Sequence, residues 1–268
     1  MPPKRKGKAA SPAANKRAKA EEKRTKAEEE PPVSLKSPGA KTPGGKGLKS
    51  VSDVWSSKEY VSDGRMGQEG FGALADALGI EHMTCEALYL IFVLSPLRDA
   101  VTDVFTVCES KAAMQSALDG LGCRTMSELP AKLRAKCAHM QTEFGPPFPA
   151  FFRWLFEMGK AVAAVNNDVA AHAVRTVPLN EGLQLLEAVL PKWRLTPTLK
   201  AFCVEKYAQP FSKDLWTQIG RFAHMTQTGQ IVADLSNYDD DASGGGSAWP
   251  CAIDDFVEFV QAGAGAPS

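Results

Sequence analysis

Phe148-Pro149-Ala150-Phe151-Phe152-Arg153-Trp154-Leu155-Phe156-Glu157-Met158-Gly159-Lys160-Ala161-Val162 carries Phe148, Phe151, Phe152, Leu155 and Met158 at three- and four-residue intervals. That spacing gathers large apolar side chains on one side of a 3.6-residue helix, whereas a half-buried strand would alternate every two residues. The stripe predicts an amphipathic helix against a core. The same period recurs outward in both directions. Gln68 to Leu78 aligns Phe71, Leu74, Ala75 and Leu78 and stops at Gly79, a residue suited to the left-handed turn after a helix. Thr84 to Leu94 is apolar nearly all round and must end before Pro96. Ser110 fits the cap of a helix bearing Met114, Leu118 and Leu121, closed by Gly122, and Ser127 fits the cap of the next, with Leu129, Leu133, Cys137 and Met140 in register. Downstream, Asn180 to Leu190, Thr198 to Tyr207, a long helix from Lys213 to about Ala233 capped by Ser212, and a short one from Ile253 to Val260 complete the pattern. No segment alternates with period two, so the sequence predicts an all-α domain over residues 60–262.

Residues 1–55 differ in kind. They consist of Lys, Ala, Glu, Pro and Gly with few large apolar side chains, a composition too poor in burial to offset chain entropy, and predict a disordered basic tail. Lys4, Arg5 and Lys6 form one basic cluster; Lys16 and Arg17 open a second about ten residues on, as in a bipartite nuclear localisation signal. The expected location is nuclear and cytoplasmic. The overall formal charge of zero hides an asymmetry: residues 1–50 hold 14 Lys/Arg against 5 Asp/Glu, the remainder 17 against 26. An acidic body disfavours nucleic acid, whose phosphates need a basic surface, and suits a basic protein partner.

The sequence offers little for catalysis. No P-loop or dinucleotide fingerprint is present, and His82, His139, His172 and His224 are scattered without partners at metal-ligand spacing. Six cysteines form no C-x-x-C pair, and no N-terminal apolar stretch reads as a secretory signal, so reduced thiols are expected. Cys251 lies beside Asp254 and Asp255 where an activated thiol needs a base or a cation. Asp239, Asp241, Ser243 and Gly244 match the opening of a calcium-binding loop, but its twelfth position, a bidentate Glu in such loops, is Pro250. Neither metal nor cofactor is expected. The longest uninterrupted apolar run, Ala87 to Leu94, has 8 residues, far short of the roughly 20 that span a bilayer, so no membrane association is expected.

One further stretch is distinctive: Ala233-Asp234-Leu235-Ser236-Asn237-Tyr238-Asp239-Asp240-Asp241, then Ala248-Trp249-Pro250-Cys251-Ala252-Ile253-Asp254-Asp255-Phe256-Val257-Glu258-Phe259. Physically it is a helix end, an acidic loop, a Trp-Pro corner and a short amphipathic helix with Asp254 and Asp255 in its first turn, where carboxylates complement the helix dipole. The pattern resembles the C-terminal signature of the defective-in-cullin-neddylation family and its potentiating-neddylation domain. Ser212-Lys213-Asp214-Leu215-Trp216 is similar to that family's lysine-aspartate-x-tryptophan helix start, and Leu121-Gly122-Cys123 to its leucine-glycine-cysteine turn. The resemblance covers roughly residues 66–260. It implies an all-helical domain of two EF-hand-like units without calcium. It further implies a non-catalytic scaffold that promotes transfer of a ubiquitin-like modifier from its conjugating enzyme to cullins, and so activates cullin-RING ubiquitin ligases. The implied partners are the cullin C-terminal region, the N-acetylated conjugating enzyme and the RING-box protein of the complex. By position it implies a cullin patch of Asp214, Ala248 and Asp254, and a conjugating-enzyme pocket walled by Leu88, Ile91, Val107, Trp154 and Met158. Here the loop before Ala248 is longer by the insert Ala-Ser-Gly-Gly-Gly-Ser at 242–247, and Glu109 stands where the family has an aromatic residue. The alternatives are a calcium-responsive EF-hand-like adaptor and a nuclear nucleic-acid-associated adaptor led by the basic tail.

Overall fold

A computed structural model describes residues 48–95, 106–238 and 249–263. The tail through residue 47, with Lys4, Arg5, Lys6, Lys16 and Arg17, lies outside the described residues, as do Ala248, the insert and the calcium-loop positions Asp239 to Gly244.

The described chain is helical, in ten α-helices: α1 Val51–Ser56, α2 Gln68–Leu78, α3 Cys85–Leu94, α4 Lys111–Gly120, α5 Leu129–Glu143, α6 Phe148–Asn166, α7 Leu179–Val189, α8 Thr196–Phe202, α9 Lys213–Gln227 and α10 Cys251–Gln261. Short polar side chains start several of them. Ser110 Oγ accepts from Ala113 N at 3.1 Å, and Ser212 Oγ accepts from Leu215 N at 3.1 Å. Each satisfies a donor that the first helical turn leaves unpaired. Gly79 and Gly122 take the expected left-handed conformation, with φ of 66° and 69°.

Several boundaries differ from the sequence reading. Ordered structure begins before residue 55: α1 is closed by a capping box between Ser50 and Asp53, and it buries Val51 and Val54. Average composition conceals this because α1 rests on a few particular residues, the Ser50–Asp53 capping box and the buried Val51 and Val54. Ser127 does not cap α5; it sits inside a 3₁₀ turn, Met126–Glu128, that runs directly into the helix. The helix begun at Lys213 ends at Gln227 rather than near Ala233, because Gly229 adopts φ of 79° and the chain turns back. A two-stranded antiparallel ribbon joins β1 (Met66–Gly67) to β2 (Thr106–Cys108), too short to show as alternation.

The core is built on α6. Phe151 and Trp154 meet Tyr89 and Phe92 of α3, with ring centroids 5.3 Å apart for Tyr89–Phe151 and 5.5 Å for Phe92–Trp154. On its other side Phe152 stacks on Trp216 of α9 at 4.9 Å, and Trp216 Nε1 donates to the Phe152 carbonyl at 2.8 Å. Gly220 permits this approach: a Cβ there would stand 2.7 Å from the Phe152 ring. Farther along α9, Trp193 Nε1 donates to Thr226 Oγ1 at 2.8 Å, and Phe222 meets Phe256 of α10. Three tryptophans and their ring partners thus fix α3, α6, α9 and α10 against one another, which sets the frame for the surface features below.

Candidate functional site

The described part of the C-terminal motif forms a corner in which several polar residues have a structural task. Asn237 Oδ1 accepts from Val232 N at 2.8 Å while its Nδ2 donates to the Gln230 carbonyl at 3.0 Å, clamping the turn after α9. Asp234 Oδ1 accepts from Ser236 N at 3.0 Å, and that hydrogen bond holds its carboxyl below the usual range. Tyr238 stacks on Trp249 at 6.2 Å, Trp249 meets the Phe222 ring edge-on at 5.6 Å, and the Arg221 guanidinium lies 5.1 Å from the Trp249 centroid. This aromatic stack carries the chain into α10.

Asp214 and Asp254 occupy the first turns of α9 and α10, two helices packed on each other. The Asp214 side chain is exposed and Asp254 is half-buried. Partial burial, then the charge of neighbouring Asp255, pushes the Asp254 carboxyl up. Among the described residues no cation pairs with Asp254. Beside Asp214, Lys213 is anchored to Glu157 of α6 at 3.0 Å, and Glu157 also pairs with Lys160 at 2.9 Å. Burial pushes Glu157 up, but these two ammonium groups outweigh it and hold the carboxyl below its ordinary range.

The residues expected for the conjugating-enzyme pocket separate. Leu88 on α3, Val107 on β2 and Trp154 on α6 are buried, while Ile91 and Met158 are half-buried. A cavity of about 650 Å³ opens between α3, α4 and α6, and of those five residues only Trp154 lines it. Its apolar walls are Tyr89, Phe92 and Val93 of α3 with Ala117 and Leu121, and its rim carries Arg153, Glu157 and Lys213. The Trp154 indole N–H is buried without a hydrogen-bond acceptor among the described residues. Sequence reading missed this wall because α3 is apolar apart from Glu86, so its period carries no phase.

The buried thiols of Cys203 and Cys137 are poor nucleophiles. Burial pushes Cys203 up to about 12, and a hydrogen bond to Cys85 together with burial pushes Cys137 up as well. Cys251 is exposed at the start of α10. Among the described residues no group of three or more His, Cys, Asp or Glu side chains could hold a metal ion, and no helix is long and apolar enough to cross a membrane.

A helical domain whose polar features lie at helix starts and a surface corner defines a docking module. The profile of the cullin-binding family matches residues 126–259. The chain is 25% identical over 202 residues to DCN1-like protein 2 of Dictyostelium discoideum, covering 74% of this chain and 64% of that protein. It is 26% identical over 225 residues to human DCN1-like protein 4, covering 80% and 66%. The chain thus spans just under two thirds of these relatives' lengths. It belongs to the DCN1-like family of cullin-binding proteins.

Proposed function

We propose that this protein is a non-catalytic scaffold of cullin neddylation, holding a cullin's basic C-terminal region and the N-acetylated terminus of the modifier's conjugating enzyme at once. Its contribution to rate is positional: fixing both partners raises the effective concentration of the reactive thioester near the target lysine. The carrying observation is the pair Asp214 and Asp254, which stand in the first turns of two packed helices, the one exposed and the other half-buried. Two carboxylates offer an acidic surface to Lys and Arg side chains, and the family resemblance adds Ala248, where a bulky side chain would block the approach. For the second partner, an uncharged acetylated terminus suits the apolar walls of a cavity because no ammonium group is desolvated against them. The 650 Å³ cavity, walled in part by Tyr89, Phe92, Val93 and Trp154, supports this role. The two basic clusters of the tail support a nuclear pool alongside a cytoplasmic one, and a RING-box protein joins through the cullin.

Titration calorimetry of the full chain against a cullin C-terminal region tests the cullin half. An Asp214→Ala/Ala248→Arg/Asp254→Asn variant is expected to bind at least tenfold more weakly, about 1.4 kcal/mol. Equal binding by wild type and variant would overturn the patch, and no binding by the wild type would overturn the scaffold reading.

A further inference from the structure

Glu157 stands between two ammonium groups. Its Oε1 accepts from Lys213 Nζ at 3.0 Å and its Oε2 from Lys160 Nζ at 2.9 Å. The two pairs differ in setting. The Lys160 and Glu157 side chains are 19% and 22% exposed, and the Lys160 ammonium also lies 5.8 Å from the Phe156 ring centroid. The Lys213 side chain is 63% exposed. An ion pair with so exposed a partner gains little in water and opens readily, which gives the Lys213 ammonium two positions, on Glu157 or free in solvent. Glu157 and Lys213 both line the rim of the 650 Å³ cavity, and Lys213 opens α9 immediately before Asp214. One ammonium group therefore stands at both docking surfaces.

We infer that Lys213 couples the two sites, so that filling the cavity with the acetylated terminus strengthens cullin binding at Asp214 and Asp254. This rests on the scaffold reading and adds to it a contact through which each partner affects the other. A chain segment seated in the cavity covers the rim carboxylate from water. Covering Glu157 costs less when two ammonium groups flank it than when Lys160 alone does, because a charge without a full partner loses its solvation uncompensated. The bound segment therefore favours Lys213 on Glu157. Released from Glu157, the same ammonium adds an unpaired positive charge next to Asp214 in the chain, and like charge weakens the approach of basic side chains. Holding it on Glu157 removes that repulsion. By linkage, the cullin strengthens binding of the acetylated terminus by the same factor.

The test is titration calorimetry of the full chain with a cullin C-terminal region and with a synthetic peptide copying the conjugating enzyme's acetylated N-terminal segment. Saturating peptide is expected to tighten cullin binding about two- to fivefold, the range open to one exposed ion pair, and saturating cullin region to tighten peptide binding equally. Glu157→Gln, which frees Lys213, should bind the cullin region more weakly than wild type. Lys213→Ala, which removes the charge, should bind it without peptide as tightly as wild type does with peptide. Neither variant should respond to the second partner, and Lys213→Arg should retain the response. A pair that only held the fold together would shift both variants in the same direction. Binding of both partners to the wild type with no mutual effect, a weakening of one by the other, or a shift of both variants in the same direction overturns the coupling and leaves the scaffold reading standing. Failure of the wild type to bind either partner overturns that reading and the coupling with it.

Discussion

Asp254 carries its charge at the fold's expense. Burial and the adjacent Asp255 raise its pKa, so ionisation costs the folded chain more than the unfolded one. That cost is absent well below the carboxylate range, where both states are protonated, and is present at neutral pH. The first-turn helix dipole opposes it by a few tenths of a kcal/mol. Asp254→Asn is therefore expected to leave the calorimetric unfolding midpoint at pH 7 equal to or above that of wild type. Any gain should vanish near pH 3. A lower midpoint at pH 7 would mean that the carboxylate is held by a favourable contact, against its assignment to a docking surface. Asn237 is the contrasting case: its side chain binds two backbone groups of its own turn, which accounts for its place in the motif without a partner.

At the level of elements, α9 carries the greatest number of roles. Its first turn presents Asp214, its middle supplies Trp216 and Gly220 to the aromatic core, and Phe222 and Thr226 lock it to the C-terminal half of the core. The helix start depends on Ser212 Oγ and on the Lys213–Glu157 pair. Ser212→Ala is expected to cost about 1 kcal/mol, a midpoint drop of about 2–4 °C in a domain of this size. Urea titration should show the loss with an unchanged m-value, and Ser212→Asp should restore most of it. A loss on Ala with no recovery on Asp would show that the cap is not what holds this turn.

Across the whole molecule, charge is divided: 14 basic against 5 acidic residues in the first 50, and 17 against 26 thereafter. Attraction between an acidic body and a basic cullin surface is screened over about 8–10 Å at physiological salt. Binding of the full chain to a cullin C-terminal region should weaken severalfold as salt rises from about 50 to about 500 mM, mostly through a slower association rate. Stopped-flow association rates at several salt concentrations read this directly; a salt-independent rate would place the cullin contact on apolar surface instead.

The fold class was legible because helical period is a local property. Phe148, Phe151, Phe152 and Leu155 are buried as their spacing requires, and Gly79, Gly122, Ser110 and Ser212 end or begin helices through contacts within a few residues of themselves. The sequence by itself also determined membership of the family, because the 233–259 motif is long and its residues are constrained jointly by one corner. What only the tertiary structure decided is which faces remain open. Cys85–Leu94 is apolar apart from Glu86, so Leu88 and Ile91 could not be told from Tyr89 and Phe92 until packing left Tyr89 and Phe92 lining the cavity between α3, α4 and α6. The Glu157–Lys213 pair was equally hidden, since the two residues lie 56 positions apart and meet only when α9 packs across α6. Helix formation depends on neighbours three or four residues away, whereas a concavity depends on groups dozens of residues apart and on what fails to fill the space between them.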